Sequence, residues 1–495
     1  MTTNQDIRNN TSAALTGRVT AGPRAVLRDL VLVPQFEQDV EELLPHYVAV
    51  ERALIEEYLR MGVVSQEEAD AIDGALASVT SDRIRAMRDR SMADVAFAVE
   101  RYVEERLGAP VPTWHVDRSR NDYQACGQLL LARKRLRNVA TELTRLWQSV
   151  HRFAGRHLHQ VMPGYTHLQA AQVISPGFYF CAVGEQLQHS LRRLLHTYDG
   201  IDACPLGAGA LAGQYLPWDR DRLAQSLGFG RVRKSALASV ADRGWAIEVT
   251  AEFEILGVTL SRFVTDLMAW GSTAYGFLDL PDDLSGISSA MPQKKNFPVL
   301  ERIRGQLAHL STYHLDTVVA QRNTAFGNSV EVSKEGTTAL SQAFGAVVNV
   351  LRLLTEVIDH VQLDPSRMAQ ACDREFMGGF ALANRLTLDE GVPWRRAQVV
   401  AGQFIVAAMS AGSAPTRPDP RLLAEVAAGS GITLSDPAAA LADVFDPERC
   451  LFFLQASGSA HPHAVAEGLQ EQLKEARLLD EQWAARRTRA GSGGE

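Results

Sequence analysis

The chain has 495 residues, with 50 Lys and Arg against 58 Asp and Glu and a net charge of -8. That length allows about two to four domains or one large helical body with attachments. The acidic balance excludes a global basic field for holding nucleic acid or an anionic membrane, which leaves small molecules and copies of the chain itself as partners.

The five cysteines, Cys126, Cys181, Cys204, Cys372 and Cys450, are odd in number and scattered, with no C-x-x-C pair. That pattern points away from a disulfide framework or a zinc site and toward a reducing cytoplasm. The amino end "MTTNQDIRNNTSAALTGR" lacks an apolar core of the secretory kind, and no stretch approaches the roughly 20 apolar residues that cross a bilayer. The expectation is a soluble, cytoplasmic protein.

In chain order, residues 1–117 carry shorter helical patterns, broken at "GVVSQEE" and "RSMAD". There Ser65, with Glu67 and Glu68 after it, reads as a helix start. Residues 118–364 hold the strongest signal. Leu129, Ala132, Leu136, Val139, Leu143, Leu146, Val150 and Phe153 alternate steps of three and four, which predicts one long helix. Ala246 to Leu267 and Leu340 to Ile358 repeat the spacing, and the segments around Val183 to Tyr198 and Leu300 to Leu315 carry the same seam. Five long amphipathic helices with short connections make an elongated bundle, and almost no sheet is expected. Composition changes again after Asp364-Pro365, with "GGF", "GVPW" and "SAGSAPTRPDP". Residues 365–495 form a C-terminal helical domain whose tail, "RRTRAGSGGE", reads as disordered.

Polar islands interrupt this helical chain at "WHVDRSRNDYQ" (114–124), "MPGYTHLQAAQ" (162–172) and "GISSAMPQKKN" (286–296). They carry groups suited to an anionic substrate: Arg118 and Arg120 for carboxylates, Asn121 and Thr166 as neutral donors, His167 as a titratable group, and Lys294 and Lys295 as cations. Each taken singly reads as a solvated turn or a helix cap. The stretch "PLGAGALAG" (205–213) has a superficial dinucleotide-loop spacing, but no strand precedes it and its third glycine falls one residue late.

Together the islands resemble the argininosuccinate lyase and δ-crystallin branch of the fumarase/aspartase superfamily. "GISSAMPQKKN" is similar to the signature G-S-S-x-M-P-x-K-x-N. "RSRND", "MPGYTHLQAAQ" and "PLGAGALAG" resemble that branch's motifs in the same order, and "ALANRLTLDEGVPWRRAQVVAG" resembles its C-terminal domain. The resemblance runs from about residue 90 to 470. It implies an all-α, three-domain fold in which the central helices of four subunits form a twenty-helix core. It also implies active sites where motifs from three subunits converge.

The reaction implied is an anti β-elimination from an N-substituted succinate, releasing fumarate, with no cofactor or metal. Taking a proton from carbon beside a carboxylate builds an aci-carboxylate dianion, which fixed cations and donors must meet. By resemblance, Lys294 and Asn296 do so, while Ser119, Arg120, Asn121 and Thr166 hold the substrate's carboxylates. Ser288 matches the family's base, which needs backbone N–H groups and Lys294 to stabilise its alkoxide. His167 matches the group that protonates the leaving nitrogen, and Glu301 matches its carboxylate partner.

The sequence departs from the branch where the arginine half of argininosuccinate would sit. The pattern Y-N-(K/R)-D-x-Q-E-D-K aligns with "FGNSVEVSK", so a tyrosine becomes Phe326, a glutamine becomes Glu331, and Lys334 matches. R-S-R-N-D-Q ends in Tyr123, the histidine of D-I-H is Ala96, N-S-L-D-x-V-S-D-R-D has become "SALASVADRG", and N-P-D is "NFP". A carboxylate at Glu331 repels a leaving group's own carboxylate and welcomes an ammonium or guanidinium. The reading is a lyase releasing fumarate from a succinylated amine, guanidine or related nitrogen compound other than argininosuccinate. A genuine argininosuccinate lyase of arginine biosynthesis and a non-catalytic, δ-crystallin-like structural homologue remain as alternatives.

Overall fold

The computed structural model describes residues 22–88 and 94–491. The amino end read above and most of the "RSMAD" break lie outside the described residues. The N-terminal region is built of short helices, chiefly α1 (Val33–Glu42), α2 (Leu44–Arg60), α3 (Gln66–Leu76) and α4 (Val95–Leu107). Ser65 starts α3 as expected: its hydroxyl accepts the Glu68 N–H, and the Glu68 carboxylate accepts the Ser65 N–H in return.

The bundle begins with α5 (Arg120–Arg156), 37 residues or about 55 Å long at 1.5 Å per residue. A hairpin of β1 (Met162–Thr166) and β2 (Gln169–Ile174) leads to α6 (Pro176–Ile201), then α7 (Gly244–Trp270). A small ribbon of β3 (Gly286–Ile287) and β4 (Lys295–Asn296) precedes α8 (Pro298–Gln321) and α9 (Leu340–His360). These are the five helices the periodicity predicts, and their seams form the core. Leu136, Val139, Leu143, Leu146 and Val150 of α5 are buried, as are Val249, Phe253 and Leu260 of α7 and Leu351 and Leu354 of α9. At about 25 cal/mol per Å² of apolar surface, such seams dominate the stability of the bundle. The stretch Val330–His360 is long and apolar enough by composition to cross a membrane, at a mean hydropathy of 1.2. Its α9 seam is instead packed inside the bundle core.

Sheet is confined among the described residues to two-stranded pairs, of which β1–β2 is the longest. Residues 365–491 do not pack as one unit. Leu382, Leu386, Phe404, Leu423 and Phe445 form a core of their own. The final helix, α10 (Pro462–Gly491), returns to the bundle, where Val465, Leu469 and Trp483 join the main core. This corrects the expected disordered tail. Arg486 pairs with Asp199 at 2.6 Å and Arg489 with Asp202 at 3.0 Å, so charge pairs bind the last turns to α6 and the residue after it. Residues 492–495 of that tail lie outside the described residues.

Candidate active site

Three segments distant in sequence meet around the start of α5. Ser119 caps the helix, its hydroxyl accepting the Asn121 N–H at 3.2 Å. Asn121 is bound at both ends of its amide: Nδ2 donates to the Ala210 carbonyl at 2.9 Å, and Oδ1 accepts from Asn328 Nδ2 at 2.8 Å. Asp122 is buried, and its Oδ2 accepts the N–H groups of Gly207 at 3.0 Å and Gly209 at 2.9 Å. Burial pushes its carboxyl up to about 6, against the pull of those amides and of Arg118. Gly207 and Gly209 sit at φ +81 and +63, where a side chain would be strained. "PLGAGALAG" therefore turns its amides onto a carboxylate of its own chain rather than onto a nucleotide phosphate. Sequence reasoning gave Asp122 no role, because nothing local links it to a loop 85 residues away.

The two arginines of the first island differ in kind. Arg118, expected among the carboxylate binders, is held in a bidentate pair with Glu51 at 2.6 and 2.8 Å. Both side chains are nearly buried, at 9% and 1% exposure. Burial would raise the Glu51 carboxyl, but Arg118 holds it below its usual range. Arg118 is therefore a structural ion pair. Arg120 is half-exposed, bonds Asp94 at 2.8 Å and lies over the Phe97 ring. Asp94 caps α4, its Oδ1 accepting the Ala96 and Phe97 N–H groups.

Next to this pair, Asp39, Tyr47, Asp94, Arg120, Tyr123 and Gln124 line a small notch. Tyr123, which departs from the branch pattern, stacks on Tyr47 with ring centroids 4.7 Å apart. Gly127 leaves room for that ring, since a Cβ there would meet Tyr47 at 2.6 Å. Lys334 reaches back to α1 and bonds Asp39 at 2.7 Å. Phe326 and Glu331 are exposed. Its own backbone N–H, first among the causes, holds the Glu331 carboxyl below the usual range.

The second island is the tip of the β1–β2 hairpin, not a helix end. Thr166 pairs with Gln169, so His167 and Leu168 form a two-residue turn, at φ 54 and 61. Two consecutive left-handed residues are what a tight hairpin twist demands, and Asn-Gly is the usual solution. His tolerates that conformation better than Leu does, so the strain of the turn falls on Leu168 beside the exposed imidazole.

The third island is the β3–β4 ribbon with its connecting loop. Gly286 pairs with Asn296 and Ile287 with Lys295. Ser288 is half-buried and its Oγ accepts the Met291 N–H at 3.1 Å. Asn296 Nδ2 lies 3.4 Å from the Ile287 carbonyl. The two lysines separate: Lys295 is tied to Asp279 and Asp282 at 3.1 Å each, while Lys294 is exposed and has no ion pair among the described residues. Glu301 is exposed in the first turn of α8.

Within one chain, the first island thus gathers with residues 328 and 334, whereas His167, Ser288 and Glu301 stand apart on a hairpin tip, a loop and the start of α8. Among the described residues no hydrogen bond, ion pair or ring contact joins the three islands. Asp39, Asp94 and Tyr47 had escaped sequence reasoning. Asp94 carries only an ordinary cap signal, and Asp39 meets a partner 295 residues away.

Residues 35–310 match the family model described as "Lyase". The chain is 34% identical over 349 residues to an argininosuccinate lyase of Saccharophagus degradans, covering 70% of this chain and 74% of that relative. It is 32% identical over 405 residues to that of Hyphomonas neptunium, covering 80% and 85%. Among solved structures, EDDS lyase in complex with formate superposes with a TM-score of 0.84 at 24% identity, covering 96% of this chain and 94% of that one. A fumarate lyase:delta crystallin from Brucella melitensis does so at 0.67 and 19%, covering 83% and 90%. The all-helical architecture and these matches define an enzyme of the lyase class with the fumarase/aspartase fold. The chain belongs to this lyase family, on the branch of the argininosuccinate lyases.

Proposed function

We propose that the protein is a carbon–nitrogen lyase that eliminates a nitrogen compound from an N-substituted succinate and releases fumarate, with a leaving group other than the arginine of argininosuccinate. The observation that carries this reading is the exposure of its acid–base groups. His167, Glu301 and Lys294 face solvent and Ser288 is partly exposed, on two loops and the start of α8, rather than being used up in the chain's own packing. Positions 326 and 331, by contrast, carry an exposed phenyl ring and an added carboxylate.

In the reaction, Ser288 as alkoxide takes the proton from the carbon beside one carboxylate, and Lys294 and Asn296 stabilise the dianion that forms. The electron pair then makes the carbon–carbon double bond as the carbon–nitrogen bond breaks. His167, oriented by Glu301, delivers a proton to the departing nitrogen. Ser119, Arg120, Asn121 and Thr166 hold the succinate carboxylates, which requires substrate to displace Asp94 from Arg120 and the neighbouring amides from Asn121. No metal or cofactor enters these steps.

Because the three islands stand apart in one chain, the reading includes a homotetramer in which copies complete each site. Exposed Ile255 and Val258 on α7 and Leu315 and Val319 on α8 support it, since they are apolar side chains on bundle helices that further copies would cover. The five free thiols suit a reducing cytoplasm. The test is to incubate the purified protein with argininosuccinate and a panel of N-(1,2-dicarboxyethyl) amines and guanidines, following the ultraviolet absorbance of fumarate. Turnover of panel members with little of argininosuccinate is expected. Strong turnover of argininosuccinate establishes the reading that the named relatives favour, an ordinary argininosuccinate lyase.

A further inference from the structure

A cavity of about 360 Å³ lies between α1 and the start of α9, with Asp39 and Lys334 in its wall. Asp39 also lines the notch that holds Arg120, so it is the partition between the two spaces. The volume falls in the range of small-molecule sites. Trp245, Phe344 and Leu43 give the cavity an apolar side.

Two ion pairs lie in its wall. Lys334 meets Asp39 at 2.7 Å with both side chains 15% exposed. Arg135 meets Glu42 at 3.0 Å, and Ser341 bridges the two, donating to Glu42 at 2.6 Å and accepting from Arg135 at 2.7 Å. Asp39, Glu42 and Glu335 set three carboxylates in the wall against the two cations Lys334 and Arg135. On the far side of the partition Asp94 pairs with Arg120, and becomes a further unpaired carboxylate once substrate takes that arginine.

We propose that this cavity receives the nitrogen leaving group, and that the Asp39–Lys334 pair selects for one without a carboxylate: an aliphatic or aromatic amine or guanidine. The proposal rests on the lyase reading above and names its substrate class. A succinyl group held at Arg120 places its nitrogen substituent past Asp39 and into the cavity. A substituent bearing its own carboxylate binds there only by drawing Lys334 away, which strands Asp39 in a buried position without a counter-charge. A cationic substituent leaves the pair intact and meets the surplus carboxylates. Asp39 is thus a specificity-determining residue that acts by occupying the one lysine matching the branch's leaving-group motif.

The test uses pairs of nitrogen compounds that differ only by a carboxylate, arginine with agmatine and ornithine with putrescine. Each is supplied to the wild-type enzyme as its N-(1,2-dicarboxyethyl) adduct and also as free amine with fumarate. The expected result is a kcat/KM at least about tenfold higher for the carboxylate-free member of each pair. Asp39→Asn, of nearly unchanged shape, is expected to shrink that ratio about tenfold or more by raising turnover of the carboxylate-bearing member. Equal turnover within each wild-type pair, or preference for the carboxylate-bearing member, overturns the inference and leaves the lyase reading standing. Absence of fumarate release or uptake with every compound overturns the lyase reading and the inference together. The wild-type comparison decides the matter even if the variant fails to fold.

Discussion

Replacing Arg118 by methionine tests whether this residue supports the fold or binds substrate. The Glu51 carboxylate is 1% exposed and both its oxygens bond Arg118, at 2.6 and 2.8 Å. Removing the guanidinium leaves a charge in a site that water does not reach. Breaking one side of such a pair costs about 3–5 kcal/mol, whereas replacing both partners with apolar residues of similar volume is often close to neutral. Arg118→Met is therefore expected to lower unfolding stability by that amount, and Arg118→Met with Glu51→Leu to recover most of it. Urea unfolding followed by circular dichroism gives the stabilities. KM for whichever succinyl substrate the wild type accepts gives the second readout, and it is expected to be unchanged in the double variant. A single variant costing less than about 1 kcal/mol, or a double variant that is stable but has a greatly raised KM, refutes the reasoning and returns Arg118 to the substrate.

Three further outcomes follow from the geometry. Leu168→Gly removes a left-handed penalty of about 1–2 kcal/mol at an exposed position, against a backbone-entropy cost of about 0.5–1 kcal/mol. Hydrogen exchange in residues 162–174 is expected to slow or stay level, and a marked acceleration counts against stored strain in the turn. Burial first, then neighbouring arginines and a lysine, hold His46 down to about 4, and burial with Arg118 holds His115 down to about 3. Below about pH 6.5 the unfolded chain protonates these rings while the folded chain does not, so stability falls on acidification from there toward pH 4 by up to about 1.4 kcal/mol per pH unit for each. The Asp122 carboxyl, pushed up to about 6, binds its proton more tightly in the folded state and opposes that slope between about pH 6 and 4, so Asp122→Asn steepens it. Ser288→Ala is expected to abolish elimination while leaving circular dichroism and oligomer size unchanged. Mixing it with His167→Ala subunits restores part of the activity if the two residues serve one site from different chains.

The bundle was legible because its seams are long and strictly spaced: every apolar residue named for α5 is buried, from Leu129 to Phe153. The return of α10 was not, because it is fixed by Arg486 and Arg489 meeting Asp199 and Asp202, pairs that form only after the chain has closed on itself. The hairpin at His167 escaped for a different reason. Turn chemistry announces itself through Gly and Asn, and this turn uses neither. Within the site, residue type alone could not separate Arg118 from Arg120, which differ in what packs around them, whereas the motif resemblance pointed to Arg120 alone. Neither could find Asp39, which in sequence is one more polar residue between the buried Phe36 and Val40 of an amphipathic helix.

The most direct measurement is proton NMR of the wild-type enzyme in deuterium oxide with fumarate and a mixed panel of amines and guanidines. The account predicts loss of the fumarate signal and growth of an N-substituted succinate carrying a single deuterium, at the carbon from which Ser288 would take its proton, in one stereochemical configuration. Fumarate left untouched by every nitrogen compound, with the protein folded, or deuterium incorporated in both configurations, would contradict it.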